Sequence, residues 1–217
     1  MGLRPNTYTY GQLSVEVKRL FGDESGVQLE PGDILRWANQ GQQEIVTRNK
    51  VLKARADTPT VAAQDLYTFP DQDIYEVSSI LLNGSPLPNI PYAEAERQIL
   101  AYDPAKTEAG QPQFWYTWGN EFWLWPVPDK VYTMRMLYSK SPPMLTGSDA
   151  EVLSVPNEYF SVLVDFILAK AYEMDEDWTA SNAKSTAFEN GIAVQGEKER
   201  DSADLAYPVI AEVDYSY

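Results

Sequence analysis

The spacing of apolar residues changes twice along the chain, and this pattern constrains the fold more than any other feature. Residues 9–21 and 31–56 repeat their apolar positions every three to four residues, as in a helix that buries one face. From about 57 to 139 the apolar runs are short, rich in Tyr, Val, Ile and Trp, and broken by Pro, Gly and Asn, which is typical of strands. Helical spacing returns at 159–174 and 178–205.

We therefore predict an α+β fold. A helical bundle of about four helices from the N- and C-terminal parts would carry an inserted antiparallel β subdomain over 57–140. The length of 217 residues suits one domain, and we expect 1–217 to form a single domain. Residues 206–217 include Pro208 and lack helical spacing, so we expect an extended C-terminal tail there.

The predicted helices differ in how much of their surface is apolar. The first helix, which Gly22 would end, has an apolar face made of Leu13, Val17, Leu20 and Phe21. In the second, over 31–56, Gly41 lies within the apolar stripe and would let another helix approach closely. The helix at 159–174 has twelve apolar residues in sixteen, which predicts a place at the centre of its domain or between two subunits.

Turn dipeptides divide the middle of the chain. Asn83-Gly84 is a strong signal for a two-residue hairpin loop. Residues 91–102 indicate one short helix that begins at Pro91, and 131–139 indicate a strand. In that strand, alternation places on one face the residues Tyr132, Met134, Met136 and Tyr138.

The stretch 112-PQFWYTWGNEFWLWPVP-128 holds four of the six tryptophans of the chain. A two-residue loop at Gly119-Asn120 would make it a hairpin whose register pairs Trp118 with Glu121 and Phe114 with Trp125. Both faces of this hairpin are then apolar, whereas a solvated hairpin alternates apolar with polar residues. Its aromatic residues are Phe114, Trp115, Tyr116, Trp118, Phe122, Trp123 and Trp125.

This aromatic hairpin has three interpretations. A platform for sugars or nucleobases needs exposed rings beside polar or basic partners, and no Lys or Arg lies between Lys106 and Lys130. Packing within the core of the chain is a second interpretation. We favour a third, in which one face packs within the chain and the other against a neighbouring subunit, because interfaces are rich in Trp and Tyr.

Composition excludes several kinds of chemistry. The chain contains no Cys and no His, which excludes a disulfide framework, a thiol nucleophile, a histidine base and a histidine metal ligand. The acidic run over 173–177 lacks the spacing of a calcium loop, so we interpret it as a helix connection in which Asp177 caps the next helix. We therefore expect no enzyme, no cofactor and no metal site.

Charge gives a further constraint on partners. Asp and Glu number 32 against 17 Lys and Arg, for a net charge of −15. Proteins that grip nucleic acid have the opposite balance, since neutralised phosphates supply most of their affinity. The charge suits a wall past which DNA slides, and it equally suits a soluble acidic surface. No stretch is long and apolar enough for a membrane span, so we expect no membrane partner.

The order of these segments resembles that of a known family. It is carried by 36-RWANQGQQEIVTR-48 on an early helix, by 67-YTFPDQDIYEVSSILLNGSPL-87, by the aromatic hairpin continued through 145, and by 156-PNEYFSVLVDFILAKAYEMDED-177 before an Ala-rich last helix. In this layout the chain resembles the head-to-tail adaptors of tailed bacteriophages, also called connectors or tail-tube gatekeepers.

The resemblance implies a structural virion protein at the head–tail junction, assembled in the host cytoplasm. It implies a twelvefold ring of copies beneath the portal protein, with a tail or nozzle protein on the other side and a lumen through which genomic DNA passes. It also implies that the C-terminal segment docks onto the portal. The residues of that docking segment would be Tyr207, Pro208, Val209, Ile210, Val213, Tyr215 and Tyr217.

Two other functions stay open at this stage. The aromatic hairpin could belong to a carbohydrate-binding or host-recognition module, which requires exposed rings in the free chain. A hydrolase run by two carboxylates is also conceivable, although the sequence nominates no particular pair among its 32 acidic residues.

Overall fold

The computed structural model describes residues 6–103, 105 and 108–206, with side chains described up to residue 199. The chain divides into two compact units. Among the described residues, a helical unit contains those from 6 to 52 and from 142 to 206, and a strand-rich unit contains those between 53 and 141. The predicted α+β class is confirmed, because the described residues form both helices and antiparallel sheets.

The described residues form five α-helices and nine strands. The helices are α1 Tyr10–Phe21, α2 Pro31–Asn49, α3 Tyr92–Tyr102, α4 Phe160–Met174, which a 3-10 turn Asn157–Tyr159 precedes, and α5 Trp178–Ala206. The strands are β1 Lys53–Pro59, β2 Leu66–Thr68, β3 Ile74–Leu82, β4 Ser85–Leu87, β5 Ala109–Gly110, β6 Phe114–Trp118, β7 Glu121–Trp125, β8 Val127–Pro128 and β9 Thr133–Lys140.

Helix α1 begins at a capping box. The Thr9 hydroxyl accepts a hydrogen bond from the Gln12 amide at 3.3 Å, and the Gln12 side chain accepts one from the Thr9 amide at 3.0 Å. The buried face is Tyr10, Leu13 and Val17. The prediction that Leu20 belongs to this face is wrong, because the core covers the last turn on the side where Phe21 contacts Tyr172, with ring centroids 5.2 Å apart.

Helix α2 is shorter than its sequence predicts. It ends at Asn49, and the following Lys50 adopts a left-handed conformation with its amide donating to the Val46 carbonyl. Residues 53–56, which we predicted to continue the helix, instead begin β1 and pair with β9. The local sequence favours a helix there. The hydrogen bonds to β9, and the packing of Ala54 and Ala56 against the core of the strand-rich unit, stabilise a strand instead.

Helix α4 lies at the centre of the helical unit, where it contacts α1, α2 and α5. The close approach predicted at Gly41 is confirmed: a Cβ atom there would lie 2.5 Å from Leu163 Cδ1 and 2.9 Å from Phe166 Cδ1. The sequence predicted that this helix lies either at the centre of its domain or between two subunits, and the structure shows it at the centre of the helical unit. Around it, α1, α2 and α5 contribute to a single core that includes Leu13, Ile34, Ile45, Leu163, Ile167 and Phe188.

The strand-rich unit contains two antiparallel sheets and one short parallel pair. The strand orders are β1-β9-β3-β4, β2-β7-β6 and β5-β8. The alternation predicted along this segment is confirmed, and the structure shows that the face with Tyr132, Met134, Met136 and Tyr138 is the buried one. The first two sheets share one core, to which β9 contributes Met134, Met136 and Tyr138, and to which Tyr132, just before β9, also belongs.

Both predicted hairpins form. Asn83 and Gly84 take positive φ angles of 50° and 86°, as a two-residue loop between β3 and β4 requires. In the second hairpin, β6 and β7 pair in the predicted register, with Trp118 opposite Glu121 and Phe114 opposite Trp125. The predicted short helix is α3, and Pro91 is its N-cap residue.

Candidate interaction surfaces

Both faces of the aromatic hairpin are covered within the chain. On one face, Trp115 and Phe122 belong to the core that the two antiparallel sheets share. On the other face, Tyr116 and Trp125 pack with Ala95 and Ile99 of α3. Phe114 and Trp123 lie partly buried against this smaller core. Most rings of the hairpin are therefore unavailable to a sugar or a nucleobase.

Trp118 is the exposed ring of the hairpin. Its side chain is 63% accessible, and its ring centroid lies 4.6 Å from that of Tyr92 at the start of α3. Tyr92 in turn lies 5.9 Å from Tyr116, which is stacked on Trp123 at 5.5 Å. Trp118 and Tyr92 thus form an exposed aromatic pair, and Tyr92 also packs against Tyr116 of the smaller core.

Three buried tyrosines have pKa values raised above that of an ordinary tyrosine. Burial raises the pKa of Tyr116 to about 12, with nearby carboxylates adding to the effect. The Tyr132 hydroxyl donates a hydrogen bond to the Asp129 carboxylate, which raises the pKa of Tyr132 to about 12. The Tyr138 hydroxyl donates one to Asp71, which raises the pKa of Tyr138 to about 12. None of the three would ionise at neutral pH.

The loop between α1 and α2 is organised by one carboxylate. Asp23 is almost inaccessible, and its side chain accepts hydrogen bonds from the Ser25 hydroxyl and from the amides of Val27, Gln28 and Leu29. These bonds, led by that from Leu29, lower the pKa of Asp23 to about 2. Its oxygens are therefore engaged in holding the loop, on which Val27 is exposed.

The acidic run over 173–177 forms the connection between α4 and α5. The Asp177 carboxylate accepts a hydrogen bond from the Ala180 amide at 3.0 Å, which confirms the predicted cap. Glu173 pairs with Lys170 at 2.8 Å. Two large apolar side chains, Met174 and Trp178, lie exposed at this turn.

Metal sites and membrane-spanning helices are two further features of interest in such a chain. Among the residues that the structure describes, no group of three or more acidic side chains is placed to hold a metal ion. The described helices also include none that is long and apolar enough to cross a membrane.

A groove of about 410 Å³ lies in the strand-rich unit, beside the first half of β3. Its lining includes Tyr75, Glu76, Val77 and Ser78 of β3, with Thr117 and Asn120 of the aromatic hairpin. Strand β4 pairs with β3 only over Ile80, Leu81 and Leu82, which explains why the space beside the preceding residues is open.

The sequence predicted some of these surfaces and missed others. It singled out the hairpin, but it did not indicate that Trp118 alone of its rings would be largely exposed or that Tyr92 would lie against it. The position of Trp118 next to the turn, where a ring has few neighbours along the strand, was the available signal. The residues named for the docking tail, 207–217, lie outside the described residues.

Two compact units, one helical and one strand-rich, define an α+β protein whose candidate sites are contact surfaces. Residues 8–210 match the SU10 adaptor proteins, so the chain belongs to this family of phage head–tail adaptors. The match confirms the resemblance seen in the sequence, and it makes the chain a structural component of a phage virion. No curated protein sequence matches the chain.

Proposed function

We propose that copies of this adaptor form a ring that joins the portal to the tail and lets genomic DNA pass, without enzymatic activity. The observation that carries the proposal is the family match over 8–210, which includes both units of the chain. A ring is the assembly that suits this place, because a closed set of heterologous contacts leaves an axial opening for the duplex. The resemblance to head-to-tail adaptors implies twelve copies, beneath the portal and above a tail or nozzle protein.

The charge of the chain supports the passage of DNA. With 32 acidic against 17 basic residues, a ring would repel phosphates on average. A channel wall that held the duplex would slow its movement, whereas a repelling wall lets it slide. DNA would therefore pass without specific contacts to bases.

Exposed aromatic and apolar side chains supply candidate contacts between virion proteins. Trp178 and Met174 lie together at the turn that leads into α5, and the Trp118–Tyr92 pair lies on the strand-rich unit. Aromatic residues and Met are enriched in the buried parts of interfaces. We assign the exposed edge of the aromatic hairpin to such a contact, with its remaining rings in the core.

We further propose that the C-terminal tail docks onto the portal. Over 211–217 the sequence AEVDYSY alternates small, apolar or aromatic residues with polar ones, a spacing that suits a strand added to a partner's sheet edge. In this arrangement Val213, Tyr215 and Tyr217 would face one way. Several tails on one ring would bind together, so that a weak single contact would become a stable joint.

A truncation after Ala206 tests the docking proposal. The truncated chain should keep its helical circular dichroism and its self-association, and it should lose binding to the isolated portal oligomer in a co-sedimentation assay. A full-length variant with Val209, Ile210 and Val213 changed to Ser is the matched control for chain length, and it should lose binding as well. If the truncated chain binds the portal as well as the full chain, the docking segment lies elsewhere.

A further inference from the structure

The four-stranded sheet of the strand-rich unit ends in two unlike open edges. At one end, β1 pairs with β9 along all seven of its residues, and no other strand in the described part of the chain pairs with it. Near the other end, β4 covers only the last three residues of β3, and no described strand pairs with residues 74–79 on that side. Open edges present unpaired amide and carbonyl groups, which are a template for another strand.

The two edges match in length and leave room for each other. Seven residues of β1 face six open residues of β3, from 74 to 79. The groove of about 410 Å³ beside this half of β3 is space that the strand-rich unit itself does not fill. An incoming strand would therefore find both a row of backbone partners and an opening beside them.

The directions of the strands decide how the edges would meet. Both β1 and β3 pair antiparallel with β9, so they run in the same direction. Neighbouring copies in a ring of many subunits differ by a small rotation, which keeps strand directions nearly aligned. The β1 strand of one copy would then lie parallel to β3 of the next.

Charge favours this parallel arrangement. The beginning of β1 carries the exposed Arg55, whereas the exposed Asp73 directly precedes β3. A parallel pairing brings this basic end of one strand alongside the acidic start of the other. Opposite charges on adjacent strands stabilise pairing, and like charges destabilise it.

We propose that β1 of one copy pairs with the open half of β3 in the next copy, so that the sheets form a continuous belt around the ring. The contact joins two different edges and is therefore heterologous, which allows it to repeat from copy to copy until the ring closes. This inference rests on the ring proposed above and names the surface that builds it.

Cysteine crosslinking tests the belt directly, because the wild-type chain contains no cysteine. When β1 lies parallel to residues 74–79 and the two strands begin level, Arg55 of one copy lies beside Glu76 of the next, and Ser79 lies three residues further along β3. We would combine Arg55→Cys with Glu76→Cys in one variant and with Ser79→Cys in another, and assemble each alone and with the portal oligomer. A short bifunctional maleimide would then link neighbouring thiols.

The expected result is a ladder of covalent dimers, trimers and larger species up to the full ring on a denaturing gel. The single-cysteine variants should give at most dimers, since they have no second thiol to continue a chain. A control pair on exposed helical positions, Val15→Cys with Val194→Cys, should give no ladder. A ladder of equal yield from this control would overturn the inference, because the links would then come from random collisions.

Sedimentation of the same samples separates this inference from the ring itself. Rings that give no ladder with either edge pair would overturn the belt and leave the proposed function in place. Dimers that never extend would also overturn it, since they indicate a two-fold pairing of like edges. If no ring forms with or without the portal, both proposals fail.

Discussion

Replacing Gly41 by Ala tests the close packing of α2 on α4. The new Cβ atom would lie 2.5 Å from Leu163 Cδ1 and 2.9 Å from Phe166 Cδ1, both closer than carbon atoms approach without a shift. Phe166 is partly exposed, but Leu163 is completely buried in the helical core. The two helices must therefore separate, or Leu163 must leave its preferred rotamer.

The magnitude follows from two opposing effects. Overpacking of a dense core costs about 1–3 kcal/mol. Ala is favoured over Gly inside a helix by about 1 kcal/mol, which offsets part of this cost. We expect Gly41→Ala to lower the free energy of unfolding by up to about 2 kcal/mol, and at roughly 2–4 °C per kcal/mol the melting temperature should fall by up to about 8 °C.

Gly32→Ala in the same helix is the matched control. No atom lies within 4 Å of the position that its Cβ would take, so only helix propensity changes. This variant should equal or slightly exceed the wild type in stability when unfolding is followed by far-UV circular dichroism. A Gly41→Ala protein as stable as Gly32→Ala would refute the close approach of the two helices.

Three further predictions concern individual side chains. In urea unfolding, Trp115→Ala should lower the free energy of unfolding by about 3–5 kcal/mol, because the Trp115 ring is buried. Trp118→Ala should change the free energy of unfolding by about 0.5 kcal/mol or less, because the Trp118 ring is exposed. In the folded protein the pKa of Asp23 is lowered from 3.8 to about 2, so its ionised carboxylate stabilises the fold at pH values above 3.8. In a series of urea titrations, the stability advantage of the wild type over Asp23→Asn should therefore shrink as the pH falls from about 4 to 2. Tyr132 has its pKa raised from 10.0 to about 12, so the stability advantage of the wild type over Tyr132→Phe should be constant below pH 10 and decline above it, and tyrosinate absorbance should show one hydroxyl fewer ionising late in the variant.

The local parts of the fold were predictable from the sequence. The register of the aromatic hairpin depends on a two-residue loop at Gly119-Asn120, and β6 and β7 pair as that loop dictates. The cap at Asp177 was likewise predicted from a residue whose effect is local, and the close approach at Gly41 was predicted from a missing side chain. For the hairpin and the cap, the sequence signal and the structural cause lie within a few residues of each other. At Gly41 the signal is local, but the side chains that use the space, Leu163 and Phe166, lie on α4.

Features that depend on distant partners were not predictable. Residues 53–56 have good helix propensity, and only the pairing with β9, some 80 residues later in the chain, makes them a strand. The cover over Tyr116 and Trp125 comes from α3, which the sequence predicts as a helix without indicating where it packs. Leu20 has the spacing of a buried residue but lies on the uncovered side of the last turn of α1.

The most direct test of the proposed function is sedimentation velocity of the full chain, alone and mixed with the portal oligomer. We predict either a ring-sized species in the chain alone or a complex in which the portal recruits a fixed number of copies. A chain that remains monomeric and sediments separately from the portal at all mixing ratios would contradict the proposal that this adaptor builds the ring between portal and tail.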